Sequence, residues 1–372
     1  MRFAFDLRPA LARPTGVGSY VMGLASRLPA LAPEDRFTFW SASLKDRFPR
    51  LDWPQNVRLV DRAIPVRALN YAWNRFGWPP LSLLVGTALD LVHAPHPLIV
   101  PGGPGCKHVV TLHDLFFFKH PEMTSAEVRT DYAPLVREHV RRADGIICVS
   151  RHTAEEAHLL LDVPREKLTV IYNGIDPIYR EAIPDDEVQA TLSRRRLPRG
   201  ALLYIGSSER RKNLVNLVMA YLGLARRRPG TPPLVLVGPG AEWSHGGTTW
   251  GSGVLATGHL PLRDVRALMA ASSALVHVPL EEGFGLTVVE AMAAGLPVIC
   301  SGGSALAEVA GDAARFVNPL APASIASAIA EVLDDPGLAA SLRARGLVQS
   351  VAFDWDTAAR QTLDFYRRIV SA

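Results

Sequence analysis

Cysteine is scarce: three in 372 residues, Cys106, Cys148 and Cys300. They are far apart and odd in number, and the last two sit inside apolar runs suited to buried strands. A disulfide framework and a zinc site are therefore not expected, and a reducing, cytoplasmic setting is. Also missing is any apolar run of the ~18–20 residues that a membrane-crossing helix needs. Asp6 interrupts the opening Met1–Leu7 before an apolar stretch can grow, so neither secretion nor membrane insertion is expected. Excess charge of one sign is small: 40 Lys and Arg face 36 Asp and Glu, a net +4. The whole surplus lies in residues 1–180, with 22 basic and 18 acidic side chains; the remainder carries 18 of each. That bias is too weak for a nucleic-acid binder, and no nucleic-acid module is present. It suits a phosphorylated substrate or an anionic membrane surface, and hence a peripheral position on the inner face of the cytoplasmic membrane.

The length exceeds what one hydrophobic core usually serves, and 48% hydrophobic residues are ample for two domains of similar size. The most informative stretch runs from Leu275 to Gly295. A short apolar run fit for a buried parallel strand breaks at Glu281-Glu282-Gly283-Phe284-Gly285 and continues as an Ala-rich helix ending at Gly295. Backbone N–H groups at that helix start, with Gly283 and Gly285 permitting close approach, make a seat for a phosphate or diphosphate. Glu282 and Glu290 then offer acceptor-only carboxylates to sugar or ribose hydroxyls. The plain alternative is that Glu282 caps the helix and Glu290 is a surface acid, and spacing alone does not decide.

The start of the chain reads as a strand over residues 2–7, a loop from Arg8 to Pro14, and Thr15-Gly16-Val17-Gly18-Ser19-Tyr20 leading into a helix with Val21, Leu24 and Leu28 on one face. Val21 stands where a dinucleotide fingerprint needs its third glycine, so a nicotinamide site is poorly supported, and a simple tight turn reads equally well. An aromatic and basic segment, Arg67 to Pro80, fits either a membrane-interface surface or packing between helix and sheet. His113 closes the strand of Val109-Val110-Thr111-Leu112-His113-Asp114, at the end where open α/β sheets bind ligands. Asn173-Gly174 reads as a turn suited to positive φ. Pro177 to about Gly200 reads as a polar linker. In the second half, Gly206-Ser207-Ser208-Glu209-Arg210-Arg211-Lys212-Asn213 joins a strand to a helix. Cations at a helix start oppose the macrodipole, and an anion bound there removes the conflict. Trp243–Ser252 is a Gly/Ser/Thr-rich loop, and Asp354 and Asp356 precede the last helix, where an Asp caps more readily than it binds metal.

The string Glu282-Gly283-Phe284-Gly285-Leu286, Glu290-Ala291-Met292-Ala293 and Gly295-Leu296-Pro297-Val298 resembles the signature of the family 4 glycosyltransferases. The His113-Asp114, Asn173-Gly174-Ile175-Asp176, Arg211-Lys212-Asn213 and Phe353–Trp355 elements fall in that family's order, so the resemblance covers nearly the whole chain. It implies the α/β GT-B fold: two Rossmann-like domains with a cleft between them, at residues 1–180 for the acceptor and 181–352 for the nucleotide sugar. Residues 353–372 would form a helix crossing back to the first domain.

The resemblance also assigns roles. Lys212 and Arg211 hold the diphosphate leaving group, with Arg210 competing for the guanidinium role; Glu282 positions the donor sugar and His113 contacts it from the other domain. Glu290 holds the ribose, and the amides around Gly283, Phe284, Gly285 and Leu286 meet the phosphates. Gly16 and Gly18 lie near the donor phosphates and the acceptor. His259 and Leu260 belong to the turn that reads the base, with His259 able to stack on it. Ser207 stands where many members carry an arginine, which leaves the cation count open. The implied reaction is a retaining, metal-independent hexosyl transfer, with front-face attack after domain closure and no cofactor beyond the nucleotide-sugar donor. The overall style looks like bacterial polysaccharide and O-antigen mannosyltransferases, whose lipopolysaccharide-type acceptors are commonly lipid-linked saccharides. GDP-mannose is the first donor expected and UDP-glucose the second. A nicotinamide-dependent oxidoreductase, a GT-B epimerase and a silent sugar-nucleotide-binding protein are the rival classes.

Overall fold

The computed structural model describes residues 1–11, 15–49, 51–238 and 251–372. It divides into two compact units: Met1–Gly174 with Phe353–Ala372, and Ile175–Ala352. Each is built on a parallel sheet.

In the first unit the strands are β1 (Arg2–Asp6), β2 (Arg36–Ala42), β3 (Val57–Arg62), β4 (Leu91–Ala94), β5 (Lys107–Leu112), β6 (Gly145–Cys148) and β7 (Leu168–Val170). Their spatial order is β3-β2-β1-β4-β5-β6-β7. Successive residues feed opposite faces: Phe3 and Phe5 enter one core cluster and Ala4 the other, as do Val109 and Val110. Both faces are covered, which is why these strands read as short apolar runs rather than alternating ones.

The helix Trp355–Ser371 belongs to this unit. Asp354 caps it, its carboxylate accepting from Thr357 N at 2.9 Å. Trp355, Ala358, Ala359, Thr362, Leu363 and Tyr366 form its buried stripe, at the helical spacing that puts one face on a core. The Tyr366 hydroxyl meets His93 Nδ1 at 2.5 Å, and His93 Nε2 meets Thr111 Oγ1 at 2.7 Å. Burial lowers His93 to about 3, so this link is a neutral one.

The second unit repeats the plan with β8 (Leu202–Ile205), β9 (Leu234–Val237), β10 (Val254–Gly258), β11 (Ala274–His277), β12 (Val298–Ser301) and β13 (Ala314–Val317). Their order is β10-β9-β8-β11-β12-β13. Chain direction across the sheet reverses between β8 and β11, and ligands of doubly wound sheets bind outside the strands' carboxyl ends at such a point.

Three readings are corrected by the structure, and a fourth, that of residues 67–80, is divided. Residues 177–200 are not a featureless linker: Pro177–Arg180 is a 3₁₀ turn and Asp185–Arg195 a helix burying Val188, Thr191 and Leu192. Three acids in its first turn and Arg194 and Arg195 in its last suit the macrodipole, and that polarity hid its short apolar face. Asn173-Gly174 does not have positive φ. Gly174 is needed because a Cβ there would lie 2.2 Å from Trp355 N. The aromatics of residues 67–80 divide: Trp73 is buried beneath the Arg8 guanidinium, whereas Tyr71, Phe76 and Trp78 are each more than 60% exposed. Gly16 and Gly18 lie in the first turn of the helix Gly16–Ala25 rather than in a loop, with Thr15 Oγ1 accepting from Gly18 N. Of the loop expected from Arg8 to Pro14, Arg8–Ala10 is a 3₁₀ turn and residues 12–14 lie outside the described ones. The same holds for residues 243–250 of the Gly/Ser/Thr-rich loop.

Candidate active site

At the sheet reversal of the second unit, two loops meet. The loop after β8 carries Gly206 to Asn213, and the loop after β11 carries Val278 to Gly285. They are tied by backbone, Leu280 N donating to Arg211 O at 2.8 Å, and by Asn213, whose amide donates to Val278 O and Pro319 O. Asn213 has φ +58°, a conformation its short polar side chain tolerates. Asn213 thus serves the backbone that holds the two loops together.

Lys212 Nζ lies 2.6 Å from Glu282 Oε2, both side chains about 13–14% exposed. Arg211 Nη1 is 4.0 Å from Glu282 Oε1, and its Nε donates to Glu209 at 2.6 Å. Ser207 Oγ donates to the other oxygen of Glu209. Arg210 is exposed. Burial would raise the Glu282 carboxyl, but Lys212, with His277 and Arg211, outweighs it and holds Glu282 far below the usual carboxylate range. Glu282 makes no side-chain cap on the following helix, Leu286–Ala293, whose N-cap is Gly285 at φ +96°. A Cβ on Gly285 would lie 2.2 Å from Leu306 Cδ2. The N–H groups of Leu286 and Thr287 precede any intrahelical acceptor, as in every first turn. Cations, an ionised carboxylate and helix-start amides are therefore gathered at the carboxyl ends of β8 and β11, where Gly283, Phe284 and Gly285 are buried.

Glu290 follows one turn into that helix, against Tyr179 and Asp176 rather than Lys212. Burial pushes it up to about 7, Asp176 adds to the rise, and the Tyr179 hydroxyl opposes it by donating to the ionised form. His259 is exposed and Leu260 half-buried, just past the end of β10.

In the first unit His113 follows β5. Its Nε2 lies 3.1 Å from Pro95 O and its ring stands edge-on to Tyr20 at 5.0 Å between centroids. A carbonyl can only accept, so Nε2 carries the proton and Nδ1 is the acceptor. Burial lowers His113 to about 4, leaving it neutral. The structure brings Ser207, Arg211, Lys212, Glu282 and the Gly283–Leu286 amides together in one unit; His113, Gly16 and Gly18 belong to the other.

Two groups escaped the sequence. Asp6, fully buried at the end of β1, receives the Arg8 guanidinium through both oxygens and His96 Nε2 at 3.2 Å. Burial would raise it, and Arg8 and His96 keep it far below its ordinary value. A charge closing an apolar strand, followed two residues later by an arginine, was the readable signal. The other is His277, 2% exposed at the end of β11, with Nε2 3.5 Å from Glu282 Oε2.

Two Rossmann-like units, one presenting cations, helix-start amides and a buried carboxylate at its sheet reversal, define a glycosyltransferase of the GT-B fold. The comparisons agree. Residues 14–178 match the model of Glycosyltransferase Family 4, and residues 199–335 match that of the Glycosyl transferases group 1. The chain belongs to the family 4 glycosyltransferases. It is 27% identical to the O-antigen chain mannosyltransferase B of Escherichia coli, over 99% of this chain and 100% of that one. Among solved structures it is similar to the sucrose-phosphate synthase of Thermosynechococcus elongatus, with TM-score 0.78 and 20% identity over 100% and 99% of the two chains. It is also similar to HepE of Anabaena in complex with UDP-glucose, with TM-score 0.70 and 17% identity over 99% and 100%.

Proposed function

We propose that the chain is a retaining, metal-independent mannosyltransferase that moves mannose from GDP-mannose to a lipid-linked saccharide in cell-surface polysaccharide assembly. The second unit would take the nucleotide sugar and the first the acceptor. One observation carries the reading: Lys212, Arg211, Glu282 and the Leu286 helix start meet at the carboxyl ends of β8 and β11. Breaking a sugar–phosphate bond sends its electron pair to the diphosphate, and fixed cations with helix-start amides are what that developing charge requires. Glu282, held ionised, would accept from sugar hydroxyls. Glu290 would accept from the ribose, and His113 Nδ1 from a sugar hydroxyl. The acceptor hydroxyl would attack from the face that the phosphate leaves, its proton passing to the departing phosphate oxygen. The whole-length similarity to the E. coli mannosyltransferase supports mannose as the sugar. The UDP-glucose complex of HepE makes UDP-glucose the alternative.

Calorimetry with GDP-mannose, UDP-glucose, GDP, UDP, ADP and NAD, all in EDTA, tests this donor site. GDP-mannose should bind best. Its affinity should be higher at pH 8 than at pH 6, by up to about tenfold, since a carboxyl near 7 goes from ~0.1 to ~0.9 ionised over that span. The sign follows from the role: ionised Glu290 accepts through both oxygens, whereas protonation turns one of them into a donor that faces a ribose hydroxyl poorly. Glu290→Gln should bind more weakly and lose the pH dependence. A UDP-glucose preference would change the sugar and keep the chemistry. Binding of NAD alone, or an unimpaired Glu290→Gln, would remove the donor site.

The helix Val66–Phe76 and the turn after it support a membrane-bound acceptor. Tyr71, Phe76 and Trp78 are exposed beside Arg67 and Arg75, a pairing suited to the headgroup zone of an anionic bilayer. The protein should sediment with phosphatidylglycerol vesicles and much less with phosphatidylcholine ones. Replacing the three aromatics by Ser should abolish the difference, and sedimentation unchanged by the replacement would rule the contact out.

A further inference from the structure

His277 ends β11 between β8 and β12, 2% exposed, its ring 6.4 Å from that of Tyr204 and nearly parallel to it. Neither ring nitrogen makes a hydrogen bond among the described residues. Nε2 points to Glu282 Oε2 at 3.5 Å, too long for a well-formed bond. Phe or Leu would fill this apolar slot without burying two unsatisfied nitrogens, so the imidazole is costly where it stands. That same Oε2 receives Lys212 Nζ at 2.6 Å. The cation expected to meet the diphosphate is thus paired with the carboxylate expected to meet the sugar.

We propose that His277 is a positioning residue that takes over Glu282 when the diphosphate draws Lys212 away. With Nε2 protonated, the ring donates to Oε2 once a shift of a few tenths of an ångström closes the gap. Glu282 then stays ionised and aimed at the sugar without its lysine, and Lys212 is free to meet the leaving group. Burial is the largest influence on His277 and lowers it below the ordinary histidine value, with Glu282 opposing; burial persists when Lys212 leaves, so the ring serves as a neutral donor and does not compete with Lys212 for the diphosphate. The inference rests on the roles given above to Glu282 and Lys212.

The test compares His277→Phe, His277→Gln and Glu282→Gln in the full chain, with GDP and GDP-mannose as probes. His277→Phe fills the slot and removes the donor; the Gln amide reaches about as far as Nε2 and restores it. In the two His277 variants GDP affinity should fall by less than turnover does, because GDP carries no sugar for Glu282 to hold, and in Glu282→Gln, which releases Lys212, GDP affinity should not fall. In His277→Phe, kcat with GDP-mannose should fall roughly 10- to 100-fold, the order expected for one misplaced group at a reacting centre. His277→Gln should recover most of it, while the thermal midpoint of His277→Phe should not fall. Equal turnover in His277→Phe and wild type, equal loss in the Phe and Gln variants, or a matching loss of GDP affinity would each overturn the hand-over. If Glu282→Gln itself leaves turnover intact, the failure belongs to the proposed function instead.

Discussion

Lys212→Ala is expected to lower kcat by about 10²–10³, the range found when one preorganised group facing a developing charge is removed. The loss should fall mainly on kcat with a smaller rise in KM, since the diphosphate is already anionic when it binds and gains further charge as the sugar–phosphate bond breaks. Lys212→Arg should rescue poorly. Lys212 is only 13% exposed and sits 2.6 Å from Glu282, a space fitted to a compact ammonium rather than a planar fork. Removing the lysine alone also leaves Glu282 buried without its main counter-charge, so part of any lost activity could reflect lost stability. The double variant Lys212→Ala/Glu282→Gln separates the two: it removes both charges and should restore the thermal midpoint while turnover stays low. A Lys212→Ala enzyme that turns over within threefold of wild type would take the lysine out of the chemistry.

The reason this site could be read from sequence is that its chemistry is local. Lys212 follows β8 by seven residues and Glu282 follows β11 by five, so strand, loop and helix each lie within one short window. The parallel order β8-β11 then brings the windows together, and a strand-and-helix pattern implies such an order without revealing its distances. What escaped was non-local or hidden by composition. His277 looked like one more residue of an apolar strand, because its meaning lies in the position of Lys212, 65 residues earlier. Asp6 was read only as an interruption of an apolar start, and its partners include His96 across the reversal of the first sheet. The helix Asp185–Arg195 was missed because its buried face is three residues wide. Gly174 was read through its own turn, whereas the constraint on it comes from Trp355, 181 residues later.

That last contact predicts the largest change in stability. Trp355 is 4% exposed and its ring lies against Tyr20 at 6.2 Å between centroids. A Cβ on Gly23 would fall 2.4 Å from the indole, and one on Gly174 would fall 2.2 Å from Trp355 N. Two glycines without side chains thus make the slot, and the indole fills it at the first turn of the C-terminal helix. Trp355→Ala should cost ~3–5 kcal/mol, a transfer loss plus a cavity that the rigid backbone at Gly23 and Gly174 cannot close. At ~2–4 °C per kcal/mol for a unit of this size, the first unit should melt roughly 6–20 °C lower. The cavity could be refilled from the other side only by a side chain on Gly23, so Gly23→Ala, destabilising in the wild type, should be tolerated or favourable in Trp355→Ala. Differential scanning calorimetry of the four proteins in that cycle measures the coupling directly, and additive losses would mean that Gly23 and the indole do not share the slot. The second unit carries its own core on β8–β13. Affinity for GDP, which carries no sugar for His113 to meet, should therefore be unchanged by Trp355→Ala when measured below the first transition.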